Sequence, residues 1–441
     1  MDPSVDLLVA GAGAAGLAHA FWRQRATPGL RLLVAEAAPR AGGWVHTLQR
    51  GGYTCECGPQ GFRPNADTDA LIDALELADE VLPASPLARR RWLLLDGRLQ
   101  ALPAGLLQFL GSPLLSLRDK LRVCGEPWRR RGSDLEESMA AFVTRRFGPG
   151  LRPLAEALAH GVYAGDADQL EMCSMFPQAV ALEQQHGSVV RGLWKHQRPR
   201  PRRPALCTFR GGMGRSTAAL QQALGPALRL QTRVRALRAD GDGFAVELDG
   251  DGPPRVHASA VALAIPAKAA AMLLADLDPA LALELRQIRG AGVASVHLGA
   301  RRADFAHPLD GFGCLLPKHG GPLLGVLLCS SVFPGHAPAG HALLRVMSGG
   351  SDHGDQVDRS DAELIAAAVQ TCQQLFGLRA TPTFVHVERC RDAIAQYAPG
   401  HARRLQRIAA ALAAHRGLSL LGASYRQIAV VGQWSERGSQ P

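Results

Sequence analysis

The chain has 441 residues, 47% hydrophobic, with 48 glycines and 29 prolines; it exceeds one ordinary core and reads as globular, turn-rich and divided into two or three domains. Lysine and arginine outnumber aspartate and glutamate by 49 to 39, a balance that suits an anionic substrate, an anionic membrane surface or nucleic acid, and equally an ordinary basic surface. Nine scattered cysteines without a Cys-x-x-Cys pair argue against a disulfide framework, no cleavable leader is expected before the first strand, and no apolar run reaches the ~18 residues of a spanning helix.

The first element is a strand over residues 5–10, followed by Gly11-Ala12-Gly13-Ala14-Ala15-Gly16 and a helix, with Glu36 closing the next apolar run. This is a dinucleotide site. Gly11 lets the chain turn off the strand, Gly13 admits a pyrophosphate to the backbone, and Gly16 lets helix and strand pack closely. The helix N-terminus presents free N–H groups to the diphosphate, and the acid takes ribose hydroxyls. Arg40-Ala41-Gly42-Gly43-Trp44 comes next, an Arg-x-Gly-Gly turn of the kind carried by flavin enzymes of the amine-oxidase type, which favours FAD over NAD.

This nucleotide-binding start is expected to run over residues 1–87, including a helix at 66–78. Residues 88–102 predict a β-hairpin turning at Asp96-Gly97. Residues 103–205 read as helical. Leucine-rich stretches at Leu106-Leu107, Leu110 and Leu114-Leu115, followed by Arg118, Lys120 and Arg122, suit an interfacial membrane segment or a core-facing helix pair. The proline-interrupted basic run from Lys195 to Arg203 reads as a solvated loop; the aromatic platforms that nucleic-acid binding adds are absent, and no nucleic-acid partner is expected. Residues 206–272 return to the nucleotide domain, with strands at 228–237, 244–248 and 256–265. Residues 273–401 form a substrate domain, with strands at 293–298, 313–316, 323–329 and 342–347 and a helix at 361–376. Residues 402–441 complete the nucleotide domain. The fold class is therefore α/β: a Rossmann-like FAD-binding domain, a mixed-sheet substrate domain and a helical membrane-binding insertion. The alternation Cys55-x-Cys57 fits a short strand, and no metal set is expected.

Residues 11–16, 40–44, 58–64, 161–165, 209–213, 264–267, 311–313 and 422–425, with Gln396-Tyr397-Ala398-Pro399-Gly400-His401, together resemble the mitochondrial-type protoporphyrinogen oxidase family. The resemblance implies oxidation of a porphyrinogen in three two-electron steps, with hydride passing to FAD and then to O2 as peroxide. It also implies a homodimer peripheral to the mitochondrial inner membrane on its intermembrane-space side. Carried over by position, Arg91 would hold a propionate, Phe312 would face the macrocycle, Leu315, Leu327 and Met347 would line the pocket, and Gly161 and Gly313 would give room. For FAD the resemblance implies Gly11, Gly13, Gly16, Glu36, Arg40, Gly43, Trp44, Gly58, Pro59, Gln60, Gly61, Val234 near the adenine, and Ile428, Ala429 and Val430 near the isoalloxazine. No catalytic acid/base pair is identified; His186, His297 and His401 are candidates for proton traffic, with a structural role the alternative for each.

Two departures from the family carry expectations. Gln60 stands where an arginine is usual, removing a fixed charge beside the flavin. After Val430 the chain reads Val431-Gly432-Gln433-Trp434-Ser435 in place of the family's Asn-Asp-Cys and helix, so the helix dipole facing the flavin is expected to be missing and FAD affinity and turnover reduced. Alternatives are another flavin amine oxidase or desaturase, and a catalytically impaired splice form that binds porphyrin or dimerises.

Overall fold

The computed structural model describes residues 2–103, 106–132, 134, 136–195, 202–318, 321–426 and 428–435. Two seven-stranded sheets organise it. In the first, strands Leu228–Arg229, Leu32–Ala35, Ser4–Ala10 and Arg255–Leu263 lie parallel in that order, and Leu418–Leu420 pairs with the last of these. Strands Gly243–Asp249 and Arg233–Asp240 extend Arg255–Leu263 antiparallel. Successive side chains on a strand face opposite sides, and this sheet uses both. Leu8, Ala10, Leu33 and Ala35 pack with helices Ala267–Leu273, Pro279–Arg286 and His401–Leu412, while Leu7, Val9 and Val34 pack with Ala14–Ala26 and Gly214–Leu224. Burial on both faces explains why these strands read as unbroken apolar runs.

The second sheet is mixed, in the order Phe384–Gln396, Arg289–Arg301, His341–Gly349, Leu323–Leu327, Gly313–Leu315, Trp92–Leu95, Arg98–Ala101. Only Gly313–Leu315 against Trp92–Leu95 is parallel. Helix Asp361–Phe376 covers one face through Leu364, Ala368, Cys372 and Phe376. It starts on a Ser360/Glu363 capping box and ends at Gly377, φ +63°. The other face is left toward the nucleotide half, where the hairpin Thr47–Arg50/Tyr53–Glu56 packs on it.

Residues 106–195 are helical and carry their own core around Met139, Phe142, Ala155 and Leu170. Its polar anchor is Arg146, fully buried, which pairs with the buried Glu126 and donates to the Arg130 and Gly187 carbonyls. Glu126 also accepts from Val189 N–H at 3.0 Å, so the pair is hydrogen-bonded on both sides. Among the described residues no helix is long and apolar enough to cross a membrane. The basic run lies outside the described residues from 196 to 201, as do the side chains of Leu106, Leu107 and Leu110. Its end is anchored, with Arg202 and Arg203 paired to Asp73 and Asp69.

Three expectations are corrected, and one strand was not anticipated. The strand expected at 228–237 is two, broken where Gln231 takes φ +50° and Thr232 N–H turns back to donate to the Glu36 carbonyl at 2.7 Å. The helix expected to Ala78 stops at Ala74, because Glu76 adopts a left-handed φ of +57°. The strand Phe384–Gln396, alternating apolar with charged residues, escapes an apolar-run criterion. Residues 274–288 pack with the nucleotide sheet through Leu274, Leu281, Leu285 and Ile288, so the substrate half begins at Arg289 rather than 273.

Candidate active site

Between the two sheets lies a cleft of about 1580 Å³. Single-ligand pockets are typically some 300–1,000 Å³, so this one has room for a cofactor and a substrate together. Its nucleotide end is built on the turn after Ser4–Ala10. Gly11 takes φ +99°, and a Cβ there would lie 2.6 Å from the Ala264 carbonyl. A Cβ at Gly13 would meet nothing within 4 Å: the backbone faces open cleft, as a diphosphate requires. Gly16 does not line the cleft; a Cβ there would overlap Gly11 O, so its role is helix–strand packing. Glu36 accepts from Ala12 N–H at 2.7 Å and Ala38 N–H at 2.8 Å, holding the carboxylate beside the helix start with lone pairs left for hydroxyls. The second turn folds onto the first: Gly42 N–H donates to Ala12 O at 2.7 Å, and a Cβ at Gly43 would approach Gly13 Cα to 3.1 Å. Arg40 donates to Gly43 O at 3.0 Å, bracing this turn, and Trp44 beside it is 42% exposed. The absence of side chains at the turn and the placed acid fit a dinucleotide.

Residues 57–61 continue along the cleft wall, Gly58, Pro59, Gln60 and Gly61 among them, with Ile428, Ala429 and Val430 also lining it. Gln60 is buried, with a thiol and an imidazole beside its amide. Cys329 Sγ donates to its Oε1 at 3.3 Å, and His336 Nδ1 lies 3.4 Å from its Nε2. Burial pushes His336 down to about 4, so this imidazole does not replace the missing arginine's charge. The buried Arg345 donates to Gly58 O at 2.5 Å and Cys57 O at 3.4 Å, binding this wall to the second sheet. Sequence reasoning missed it, although a lone charge inside the apolar run Leu343-Leu344-Arg345-Val346 is a readable signal. Glu56, buried just before, accepts from Thr47 Oγ1 at 2.7 Å and Met213 N–H at 2.8 Å. Burial raises it to about 7.

From the substrate half, Arg91, Phe312, Gly313, Leu315, Leu327, Met347 and Gly161 all line the cleft. The Arg91 guanidinium lies 5.2 Å from the Phe312 ring centroid. Desolvation and then the neighbouring Arg63 charge lower its pKa, and neither arginine is in an ion pair among the described residues. Arg63, Lys268, Arg286 and Arg289 also line the cleft and were not anticipated; against them stand Glu36 and Asp392. The two glycines do not simply give room: a Cβ at Gly161 would reach Leu315 Cδ2 at 2.5 Å, and at Gly313 it would overlap the Val326 carbonyl, so they permit helix-to-sheet and strand-to-strand contact.

Some expectations fail here. Val234 packs with the first sheet's core and does not line the cleft. His186, His297 and His401 do not line it either. Burial drives His297 well below its ordinary value, with Nε2 at 3.2 Å from the Glu56 carbonyl; burial puts His401, stacked on Tyr397 at 4.2 Å, at about 4. These two are structural. The segment after Ala429 is a 3-10 turn, Val430–Gln433, docked by a fully buried Trp434. Trp434 packs on Phe62 at 5.5 Å, and Trp22 Nε1 donates to its carbonyl at 3.1 Å. Residues 436–441 lie outside the described residues.

A doubly wound dinucleotide fold opening on a mixed sheet across a two-ligand cleft defines a nucleotide-cofactor oxidoreductase. The chain belongs to the flavin containing amine oxidoreductase family, whose sequence profile matches residues 14–431, and its cofactor is FAD. It is 33% identical to the protoporphyrinogen oxidase of Macaca fascicularis, over 96% of this chain and 95% of that protein. It is 28% identical to the coproporphyrinogen III oxidase of Bacillus subtilis, over 97% and 95%. A solved Exiguobacterium structure, provisionally assigned as a protoporphyrinogen oxidase, superposes with a TM-score of 0.83 at 26% identity, over 99% of this chain and 98% of that one.

Proposed function

We propose that the chain oxidises a porphyrinogen to the conjugated porphyrin in heme biosynthesis, with protoporphyrinogen IX as substrate and molecular oxygen as final acceptor, giving hydrogen peroxide. The observation that carries this reading is the character of the cleft: Phe312, Leu315, Leu327 and Met347 offer an apolar wall, and the cationic lining outweighs two carboxylates. A large apolar macrocycle bearing propionates matches that combination. An amine, cationic at neutral pH, would be repelled by it, which disfavours the amine substrates that the family also handles.

FAD, when bound, supplies the two-electron acceptor for hydride. The chain's own residues bind and orient. Arg91, without a carboxylate partner, takes a propionate through charge-assisted hydrogen bonds, and Phe312, next to Arg91, packs against the macrocycle. Hydride loss from a carbon bridge then depends on positioning more than on a side-chain acid or base. Leu117, Leu121, Trp128 and Trp194, each at least 65% exposed, support a peripheral seat on a membrane surface, with Arg118 nearby for anionic headgroups. A homodimer on the mitochondrial inner membrane completes the reading and rests on the resemblance.

The test is anaerobic addition of protoporphyrinogen to the yellow, FAD-loaded protein, followed by oxygen, with porphyrin fluorescence read against an enzyme-free control. Coproporphyrinogen III run in parallel compares two carboxylates with four. Turnover above autoxidation is expected. Arg91→Ala should lower kcat/KM about 10- to 150-fold, the ~1.5–3 kcal/mol of a charge-assisted hydrogen bond. Flavin-loaded protein that leaves both substrates at the background rate refutes the proposal.

A further inference from the structure

His46, Cys57, His386 and Glu388 come together where the hairpin Thr47–Arg50/Tyr53–Glu56 packs on strand Phe384–Gln396. His46 and Cys57 flank the open end of the hairpin, joined by Cys57 N–H donating to His46 O at 2.9 Å. His386 and Glu388 are two apart on one strand and so share a face. One ligand atom from each of His46, Cys57 and Glu388 lies within 4.8 Å of the other two. His386 Nε2 is 3.9 Å from Cys57 Sγ and 3.4 Å from Glu388 Oε2. His46 Nδ1 is buried without a hydrogen-bond partner among the described residues.

We propose that these four side chains bind one divalent transition-metal ion of the zinc class, clamping the nucleotide half to the substrate half. One thiolate, two imidazoles and one carboxylate form a four-ligand set that suits Zn²⁺ and excludes hard Mg²⁺ and Ca²⁺. With Zn–S about 2.3 Å and Zn–N about 2.0–2.1 Å, tetrahedral donors stand roughly 3.3–3.6 Å apart; His46, Cys57 and Glu388 already cluster within 4.8 Å, and His386, next to Cys57 and Glu388 but outside that trio, would have to turn inward to become the fourth ligand. Outer contacts are in place: Arg345 and Cys390 both donate to the Cys57 carbonyl, at 3.4 and 3.6 Å, and the His386 ring lies 5.8 Å from that of His297. Cys57 binds as thiolate, its proton leaving to buffer. Because Cys57 is itself part of the cleft wall, the ion would fix that wall. The inference is independent of which compound the enzyme oxidises.

The FAD-loaded full chain is equilibrated with Zn²⁺ or Co²⁺ and desalted, and metal per flavin is measured by elemental analysis. One ion per chain is expected, with Co²⁺ giving a thiolate charge-transfer band and tetrahedral d–d bands to the red of the flavin. Cys57→Ser should weaken binding more than ~100-fold, beyond the tenfold to hundredfold of losing an outer partner. His46→Gln should remove the tetrahedral spectrum; its side chain lies at the hairpin mouth, and the flavin spectrum checks that it folds. Cys390→Ser should retain the ion. The proposal is overturned if wild type holds no more metal than Cys57→Ser, or if the spectrum survives in both Cys57→Ser and His46→Gln.

Discussion

Glu56 makes the most quantitative prediction. Buried in the folded chain, its carboxyl titrates at about 7 against an ordinary 4.5, the desolvation outweighing the Thr47 and Met213 hydrogen bonds. Below the unfolded value both states are protonated and the residue costs nothing. As pH rises from 4.5 toward 7 the unfolded chain ionises first, so stability falls, and above 7 the full difference is lost. At 1.36 kcal/mol per unit this amounts to about 3 kcal/mol. Glu56→Gln keeps both contacts, since the amide oxygen accepts from Met213 N–H and the amide nitrogen donates to Thr47 Oγ1. The variant should therefore match wild type near pH 5 and exceed it near pH 8 by up to ~3 kcal/mol, a rise of several degrees in Tm. Thermal unfolding of FAD-loaded wild type and variant, followed by circular dichroism across pH 5–8, measures the difference; other titrating groups cancel in it. A stability difference independent of pH, or one favouring wild type at pH 8, refutes the reasoning.

Gly11→Ala should cut flavin occupancy on purification by more than about tenfold, because φ +99° and the Ala264 carbonyl leave no place for the methyl; absorbance at the flavin maximum checks it. Trp434→Ala should cost roughly 3–5 kcal/mol, read as a lower Tm and faster flavin loss; an unchanged Tm would mean that the side chain is not buried in solution. Leu117→Ser with Leu121→Ser should lower partitioning onto anionic vesicles severalfold while leaving Tm within about 1–2 °C, since neither side chain is buried. Equal sedimentation with vesicles would exclude the helix Leu117–Cys124 as the membrane contact.

What was legible in the sequence follows from how local each signal is. The turn at Gly11 to Gly16 and Glu36 are fixed by a strand, a turn and a helix adjacent in the chain, so residue type alone exposes them. The helix Asp361–Phe376 announces itself through its capping box and closing glycine. The cationic lining is different. Arg63 follows a loop of the nucleotide half, Lys268 begins a helix and Arg289 opens a strand; only the closure of two sheets brings them to one cleft. Val234 is the converse case, a position carried over from the family whose half-buried side chain packs against the first sheet's core instead of lining the cleft. The His46, Cys57 and Glu388 cluster joins positions more than three hundred residues apart, beyond any spacing rule.

The first sheet also constrains the order in which this protein can be made. Its parallel core joins Ser4–Ala10 to Leu418–Leu420, some four hundred residues further on, and Trp434 packs with Phe62 and Phe209. At about 5–20 residues per second, a ribosome delivers Leu418–Leu420 some tens of seconds after Ser4–Ala10. Until residue 434 clears the exit tunnel, the opening strands wait without a complete core, exposed to chaperones and proteases. Cofactor capture should accordingly be a late, post-synthetic event, and flavin supply would act on the yield of finished protein as well as on its activity.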